Sequence, residues 1–351
     1  MVVFAGENAP NRISNQWHVT SSRAYNDVDQ LLGRPLRWRE PRRILSALGR
    51  PCLFVCETTA HISEAENGRK WSLRFAPMTD HQAVDLYLDL IAKVLTRYGF
   101  EGRNVTKALP ARSYSSYLWS LLRAEFGEDD IRIVGPGEFD AEPREDGRDW
   151  PAEAETMVGL KRLANLRHCV ESVIHDPVPG DLIETGVWRG GATIYMRAIL
   201  KAHGITDRTV WVADSFEGLP KPDSRFSADA GDQHHTKSEL AISVDDVRKN
   251  FSRYDLLDDT VKFLVGWFED TLPTAPIQQL AVLRLDGDMY SSTRQALEAL
   301  YHKVSVGGYV IVDDYAAIPA CAKATDEFRL ETGITDPLQE VDWAAVYWRK
   351  T

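Results

Sequence analysis

Five acidic side chains stand out because of where they fall: Glu184 in IETGVWRGG, Asp286 and Asp288 in LRLDGDMY, and Asp313 with Asp314 in GGYVIVDDY. The last two motifs each follow a run that reads as a buried strand, residues 280–285 and 309–312. Their carboxylates are therefore expected at the carboxyl ends of neighbouring strands, the edge along which open α/β sheets bind ligands. Like charges gathered in a partly dry cleft repel strongly unless a divalent cation neutralises them. The pattern predicts an acid cluster built to hold a metal.

A second group of residues suits a nucleoside cofactor. Glu184-Thr185-Gly186 leads through Val187, Trp188 and Arg189 to Gly190-Gly191 and a helix. Glycine at a strand exit lets the backbone turn tightly and approach a ligand. The spacing is not that of a dinucleotide fingerprint, and no Lys-Ser/Thr pair follows as in a phosphate loop. Asp214, in VWVADSFEG at the end of the next strand run, is placed to accept hydrogen bonds from ribose hydroxyls, or else to cap the following turn. A carboxylate at Glu184 would repel a pyrophosphate and favour a cofactor carrying sulfonium and ammonium groups. S-adenosylmethionine is thereby preferred over a nicotinamide dinucleotide.

These motifs need a frame. From about Pro179 onward, short β-rich runs (181–184, 209–213, 261–265, 280–285 and 309–312) alternate with helical stretches (192–203, 240–254, 292–303 and 320–332). Alternation of this kind marks βαβ units and a parallel sheet. Two further strands are expected near 338–340 and 344–348. Before Pro179, residues 83–98 carry Leu86, Leu90, Ile91, Val94 and Leu95 at helical spacing, and 154–174 repeat the pattern with Met157, Leu160, Leu163, Leu166, Val170 and Val173. Between them, EFDAEPREDGRD at 138–149 reads as an exposed acidic loop. The predicted division is a 1–80 extension compatible with a small α+β subdomain, then 81–178 as helical cap or dimerisation elements, then a 179–351 catalytic domain.

Within the extension, strand-like runs fall at 53–55 and 71–75, and Arg34, Arg37, Arg39, Arg42 and Arg43 form a basic run best read as a solvated face. A patch docking an anionic partner is the alternative. The net charge of −11 argues against a nucleic-acid partner. No run of about 18 apolar residues and no signal-like N-terminus point to a membrane, so a cytoplasmic enzyme is expected. Cys52, Cys56, Cys169 and Cys321 are too few and scattered for a disulfide framework and are expected to be buried thiols.

With these pieces assembled, residues 84–351 resemble the macrocin O-methyltransferase family, the TylF, MycF and NovP type that methylates sugar hydroxyls of natural products. The segments carrying the likeness are DWPAEAETMVGLKRLANLRHCVE, VPGDLIETGVWRGGA, TVWVADSFEGLPKPD, FLVGWFEDTLPTAPI, LAVLRLDGDMYSST, GGYVIVDDYAAIPAC and GITDPLQEVDWAAVYW. The resemblance implies an α/β class I methyltransferase (Rossmann-like) fold with an antiparallel terminal strand, S-adenosyl-L-methionine as donor, Mg²⁺, and a homodimer or higher homo-oligomer. On matching positions it implies Asp286, Asp313 and Asp314 as metal ligands and Asp288 as general base. Glu184, Thr185, Gly186, Asp214, Ser215 and Asp286 would hold the cofactor, with Gly266, Trp267 and Phe268 near its adenine. Trp267 could otherwise be core.

The family also lends a mobile lid, here about residues 221–239. That stretch is polar, shows no evident secondary structure, and reads as a closing flap. Its DAGDQHHTKSE carries His234 and His235 where more apolar residues are expected. These histidines, with Tyr290, are candidate contacts for a small-molecule glycoside, although adjacent histidines in a polar loop are more often simply exposed, and burial explains Tyr290 as well. Asp288 is expected on the same side of an extended segment as Asp286, two residues away. A catechol-type phenolic O-methyltransferase and a non-catalytic scaffold are the competing readings.

Overall fold

The computed structural model describes residues 79–100 and 139–351, together with the backbone of two short antiparallel strands, β1 (His61–Ile62) and β2 (Leu73–Arg74). The chain divides into two units, Met1–Pro77 and Met78–Thr351. β2 falls inside the run expected at 71–75. The run at 53–55, the arginines from Arg34 to Arg43, Cys52 and Cys56 lie outside the described residues.

The second unit opens with α1 (Asp80–Leu95), started by a reciprocal capping box between Thr79 and Gln82. It buries Leu88, Ala92 and Leu95, whereas Leu86 and Leu90 remain more than half exposed. The buried stripe is thus rotated from the one expected. The stretch 138–149 is not a plain loop: Asp140 caps α2 (Ala141–Asp146), and Gly147 ends it in the left-handed region. Inside it Arg144 is buried, donating to Asp149 Oδ1 at 2.7 Å and to the Arg97 carbonyl at 2.6 Å. A charged residue that finds one of its partners 47 positions away cannot be told from a solvated one by local composition. α3 (Leu160–His175) starts later than expected, after Gly159, and buries Leu163, Leu166, Val170 and Val173 at helical spacing.

The remaining elements run β3 (Asp181–Thr185), α4 (Gly191–Ala202), β4 (Val210–Asp214), α5 (Val244–Arg253), β5 (Val261–Val265), α6 (Phe268–Thr271), β6 (Leu280–Leu285), α7 (Tyr290–Leu300), β7 (Val304–Val312), α8 (Pro319–Thr332), β8 (Gln339–Glu340) and β9 (Val346–Arg349). They build one sheet in the order β5-β4-β3-β6-β7-β9-β8. The first five in that order are parallel, while β9 runs antiparallel to β7 and β8 antiparallel to β9. Winding proceeds outward from β3 to β5, then resumes on the other side with β6 and β7. The crevice between β3 and β6 is therefore the switch point, where ligands bind in doubly wound sheets.

Alternate residues feed two cores. On β7, Tyr309 and Ile311 join the layer under α1, α3, α4 and α5, while Val310 and Val312 face the layer under α7 and α8. α5 begins at Val244, not at residue 240, because the Ser243 hydroxyl accepts from the Asp246 N–H and fixes the start. β7 begins five residues earlier than expected, with a register irregularity against β6. Cys169 and Cys321 are buried free thiols. No helix among the described residues is long and apolar enough to cross a membrane.

Candidate active site

At the end of β3 the backbone N–H of Asp286 donates to the Thr185 carbonyl (2.9 Å), and Gly186 adopts φ +86°. A Cβ on Gly186 would overlap the Asp286 carbonyl oxygen. The glycine lets the β3 and β6 exits touch. Asp214, half-buried at the end of β4, is held by backbone: its Oδ2 accepts from the Val187 N–H and its Oδ1 from the Phe216 N–H, both at 2.8 Å. The turn-capping alternative is thus how this carboxylate is fixed. Burial raises its pKa, and the backbone donors oppose that. Ser215 donates to the Gly218 carbonyl at 2.7 Å, and the Gly266 N–H donates to the Asp214 carbonyl at 2.9 Å. Trp267 and Phe268 follow, both half-buried.

The acid cluster sits across the switch point. One oxygen from each of Asp286, Asp313 and Asp314 lies within 4.8 Å of the others. Their neighbours include two arginines that the motif reading passed over. Arg284, fully buried on β6, pairs with Glu184, with Asp286 Oδ2 (2.6 Å) and with Asp313. Arg162, from α3, pairs with the other oxygen of Asp313 and with Asp342 Oδ2 at 3.0 Å. A line of alternating charge therefore crosses the sheet edge from Asp342 to Glu184.

Two carboxylate oxygens at this edge, one in the line and one beside it, are buried without any hydrogen-bond partner: Glu184 Oε2 and Asp314 Oδ2. Burial, and then the charges of Asp288, Asp286 and Asp313, push the Asp314 carboxyl well above the usual range. Burial and Asp313 raise Asp286 against the relief given by Arg284. A buried oxygen left unpaired costs free energy comparable to a lost hydrogen bond or more. These two atoms are acceptors at the sheet edge that the described residues leave unsatisfied.

Asp288 is brought to the same place by a different route from that expected. Its φ of +58° puts it in the left-handed region, so Asp286 and Asp288 do not share an extended segment. A sharp turn between β6 and α7 carries them. Burial and Asp286 raise the Asp288 pKa to about 7, with nearby His234 opposing. His234 is oriented by Asp232, whose Oδ2 lies 2.6 Å from its Nδ1. His235 Nδ1 is buried without a partner. Tyr290 points elsewhere: its hydroxyl donates to Glu327 (2.7 Å) and its ring packs on Phe226 at 5.9 Å.

The flap at 221–239 is not structureless. Three 3₁₀ turns, Ser227–Asp229, His234–Thr236 and Ser238–Leu240, shape it or its end. It rests on the core through Arg225 to Glu269 (2.9 Å), Phe226 on Tyr290, and the Trp188 indole N–H donating to the Glu239 carbonyl (2.8 Å). Asp229 is its buried residue, accepting from the N–H groups of Tyr290 (2.7 Å) and Ser291 (2.9 Å).

A family model described as Macrocin-O-methyltransferase (TylF) matches residues 84–350. The chain belongs to the macrocin O-methyltransferase family. It is 53% identical over 270 residues to the demethyldecarbamoylnovobiocin O-methyltransferase of Streptomyces niveus, covering 76% of this chain and 94% of the relative. The mycinamicin III 3''-O-methyltransferase of Micromonospora griseorubida is 46% identical over 278 residues, 78% of this chain and 100% of the relative. Among solved structures, the O-methyltransferase NovP superposes with a TM-score of 0.66 at 50% identity, over 76% of this chain and 99% of that one. The fold is the class I methyltransferase fold, and the chain is an S-adenosylmethionine-dependent O-methyltransferase.

For this methyltransferase the motif reading named the acids but missed Arg284, Arg162, Asp342 and Asp229. One signal was available. Arg284 interrupts an otherwise apolar run, LAVLRL, all of it buried, and a charge inside such a strand requires partners at the strand end. Arg162 and Asp229 carry no local mark, since each finds its partner only through the fold.

Proposed function

We propose that the chain is a Mg²⁺-dependent enzyme moving a methyl group from S-adenosylmethionine to a sugar hydroxyl of a glycosylated natural product. The carrying observation is the convergence of Asp286, Asp313 and Asp314 oxygens within 4.8 Å, one Asp314 oxygen being buried and unpartnered. The named activities of the family relatives, on demethyldecarbamoylnovobiocin and on mycinamicin III, support the acceptor class.

In this reading Asp286, Asp313 and Asp314 would hold the ion, whose charge would ease ionisation of the acceptor hydroxyl. Asp288 takes the hydroxyl proton at a carboxylate oxygen. In the metal-free cluster burial and the Asp286 charge raise its pKa to about 7. Arg284 and Arg162 hold Asp313 from two sides, so the ligand set is oriented before any ion arrives. Glu184, Thr185, Gly186, Asp214 and Ser215 form the donor side, with Gly266, Trp267 and Phe268 at its outer end. Fixing donor and acceptor in line is itself capable of several kcal/mol.

The test is an assay with S-adenosylmethionine and three acceptors: demethyldecarbamoylnovobiocin, mycinamicin III and catechol. Expected is turnover of a glycoside that stops after chelation and returns with Mg²⁺. Full activity in chelator overturns the metal assignment. Turnover of catechol alone overturns the sugar.

A further inference from the structure

Helix α7 starts immediately after the Asp286–Asp288 turn, yet its own sequence supplies no cap. Met289 occupies the N-cap position and no side chain from it meets the first N–H groups. The first turn of any helix leaves such donors unsatisfied. Here they are satisfied from 61 and 62 residues away, by the two oxygens of Asp229 on the flap. A carboxylate at that end is also favoured by the helix dipole.

The flap around Asp229 is otherwise weakly held. Most of residues 221–241 are exposed or half-buried, and Asp229 is the buried exception at 2%. Its first 3₁₀ turn also lies against α7 and α8, and its side-chain attachments beyond Asp229 include a surface ion pair from an exposed Arg225, one ring contact and one indole bond. Exposed ion pairs contribute little. Segments with few buried contacts open first.

We infer that Asp229 is a positioning residue: a helix cap that α7 possesses only while the flap is docked. When the flap lifts, the Tyr290 and Ser291 N–H groups lose their acceptors and the start of α7 loosens. Asp288, one residue before the N-cap and in the left-handed region, is then free to leave its catalytic orientation. Docking the flap over the acceptor and setting the base thus become one event. This rests on the methyltransferase reading above, but its structural half does not need turnover.

The experiment is amide hydrogen exchange on the full chain without ligand, comparing wild type with Asp229→Ala, Asp229→Asn and Arg225→Ala. Asp229→Ala is expected to speed exchange at Tyr290 and Ser291 at least tenfold while amides of β6 stay protected. Asp229→Asn, which keeps one acceptor oxygen, should fall between, and it carries the test if the alanine variant does not fold. Arg225→Ala should change these two amides less than Asp229→Asn. Unchanged exchange at residues 290 and 291 overturns the inference, as does a uniform loss of protection through β6 and α7. In turnover, Asp229→Ala should lower kcat about tenfold with the dissociation constant for S-adenosylhomocysteine within twofold. A parallel loss of donor affinity overturns the positioning role. The expected exchange pattern with no glycoside turned over would sink only the acceptor assignment.

Discussion

The two halves of the crevice satisfy their carboxylates by different means. On the β4 side, Asp214 is held by two backbone N–H groups at 2.8 Å, which exist as soon as the turn forms. Across the switch point, Glu184, Asp286, Asp313 and Asp342 share two guanidiniums, Asp314 pairs with neither, and one oxygen each of Glu184 and Asp314 remains buried and unpaired. Peptide dipoles complete the first half from within the chain. The second is left unfinished by the described residues themselves, with acceptors at Glu184 and Asp314 still unpaired.

The comparison breaks most visibly at Arg284. Arg284→Met removes one partner from a buried network and is expected to destabilise the metal-free protein by about 3–5 kcal/mol. Chemical denaturation should show much of that loss recovered by millimolar Mg²⁺, through ligand-linked stabilisation. Asp214→Asn, by contrast, weakens one hydrogen bond of a charged acceptor, about 1.5–3 kcal/mol, and Mg²⁺ should recover none of it. Equal responses to the ion in both variants would erase the distinction between the two halves.

A smaller and more specific effect is expected at the base. Asp288→Asn should lower turnover roughly 10²-fold, while calorimetry finds Mg²⁺ and S-adenosylhomocysteine affinities close to wild type. A variant that loses metal affinity in proportion would move Asp288 from base to ligand.

The smallest effect is in pH. Burial and mutual repulsion raise Asp286, Asp288 and Asp314 in the fold, Asp288 to about 7. Groups raised on folding stabilise the folded state while protonated, and that contribution is lost as pH climbs from about 4 through about 7. The metal-free protein should therefore melt at progressively lower temperature from pH 5.5 to 8. A divalent ion replaces those protons, so Mg²⁺ binding should release protons and tighten with pH. Calorimetry in buffers of different ionisation enthalpy measures the release, and none at pH 7 would mean the cluster is already fully ionised.

Much of the frame is legible in the order of residues. The apolar runs ending at Leu285 and Val312 place three aspartates at one sheet edge, because alternation and burial are local properties of a strand. The same logic locates β3, β4 and β5. It goes astray at residues 138–149, where buried Arg144 has partners across the fold, and at α1, where Leu86 and Leu90 face outward.

By itself, the chain's sequence determined which carboxylates reach the switch point, since strand periodicity and a glycine at a strand exit act within a few residues. Only tertiary structure decided how those charges are balanced: Glu184 meets Arg284 across 100 residues and Asp342 meets Arg162 across 180. It alone decided that α7 is capped by Asp229 from the flap and that Asp288 turns inward through a left-handed residue. Long-range pairing of charge leaves no period in a sequence, because the partners are set by how the elements pack.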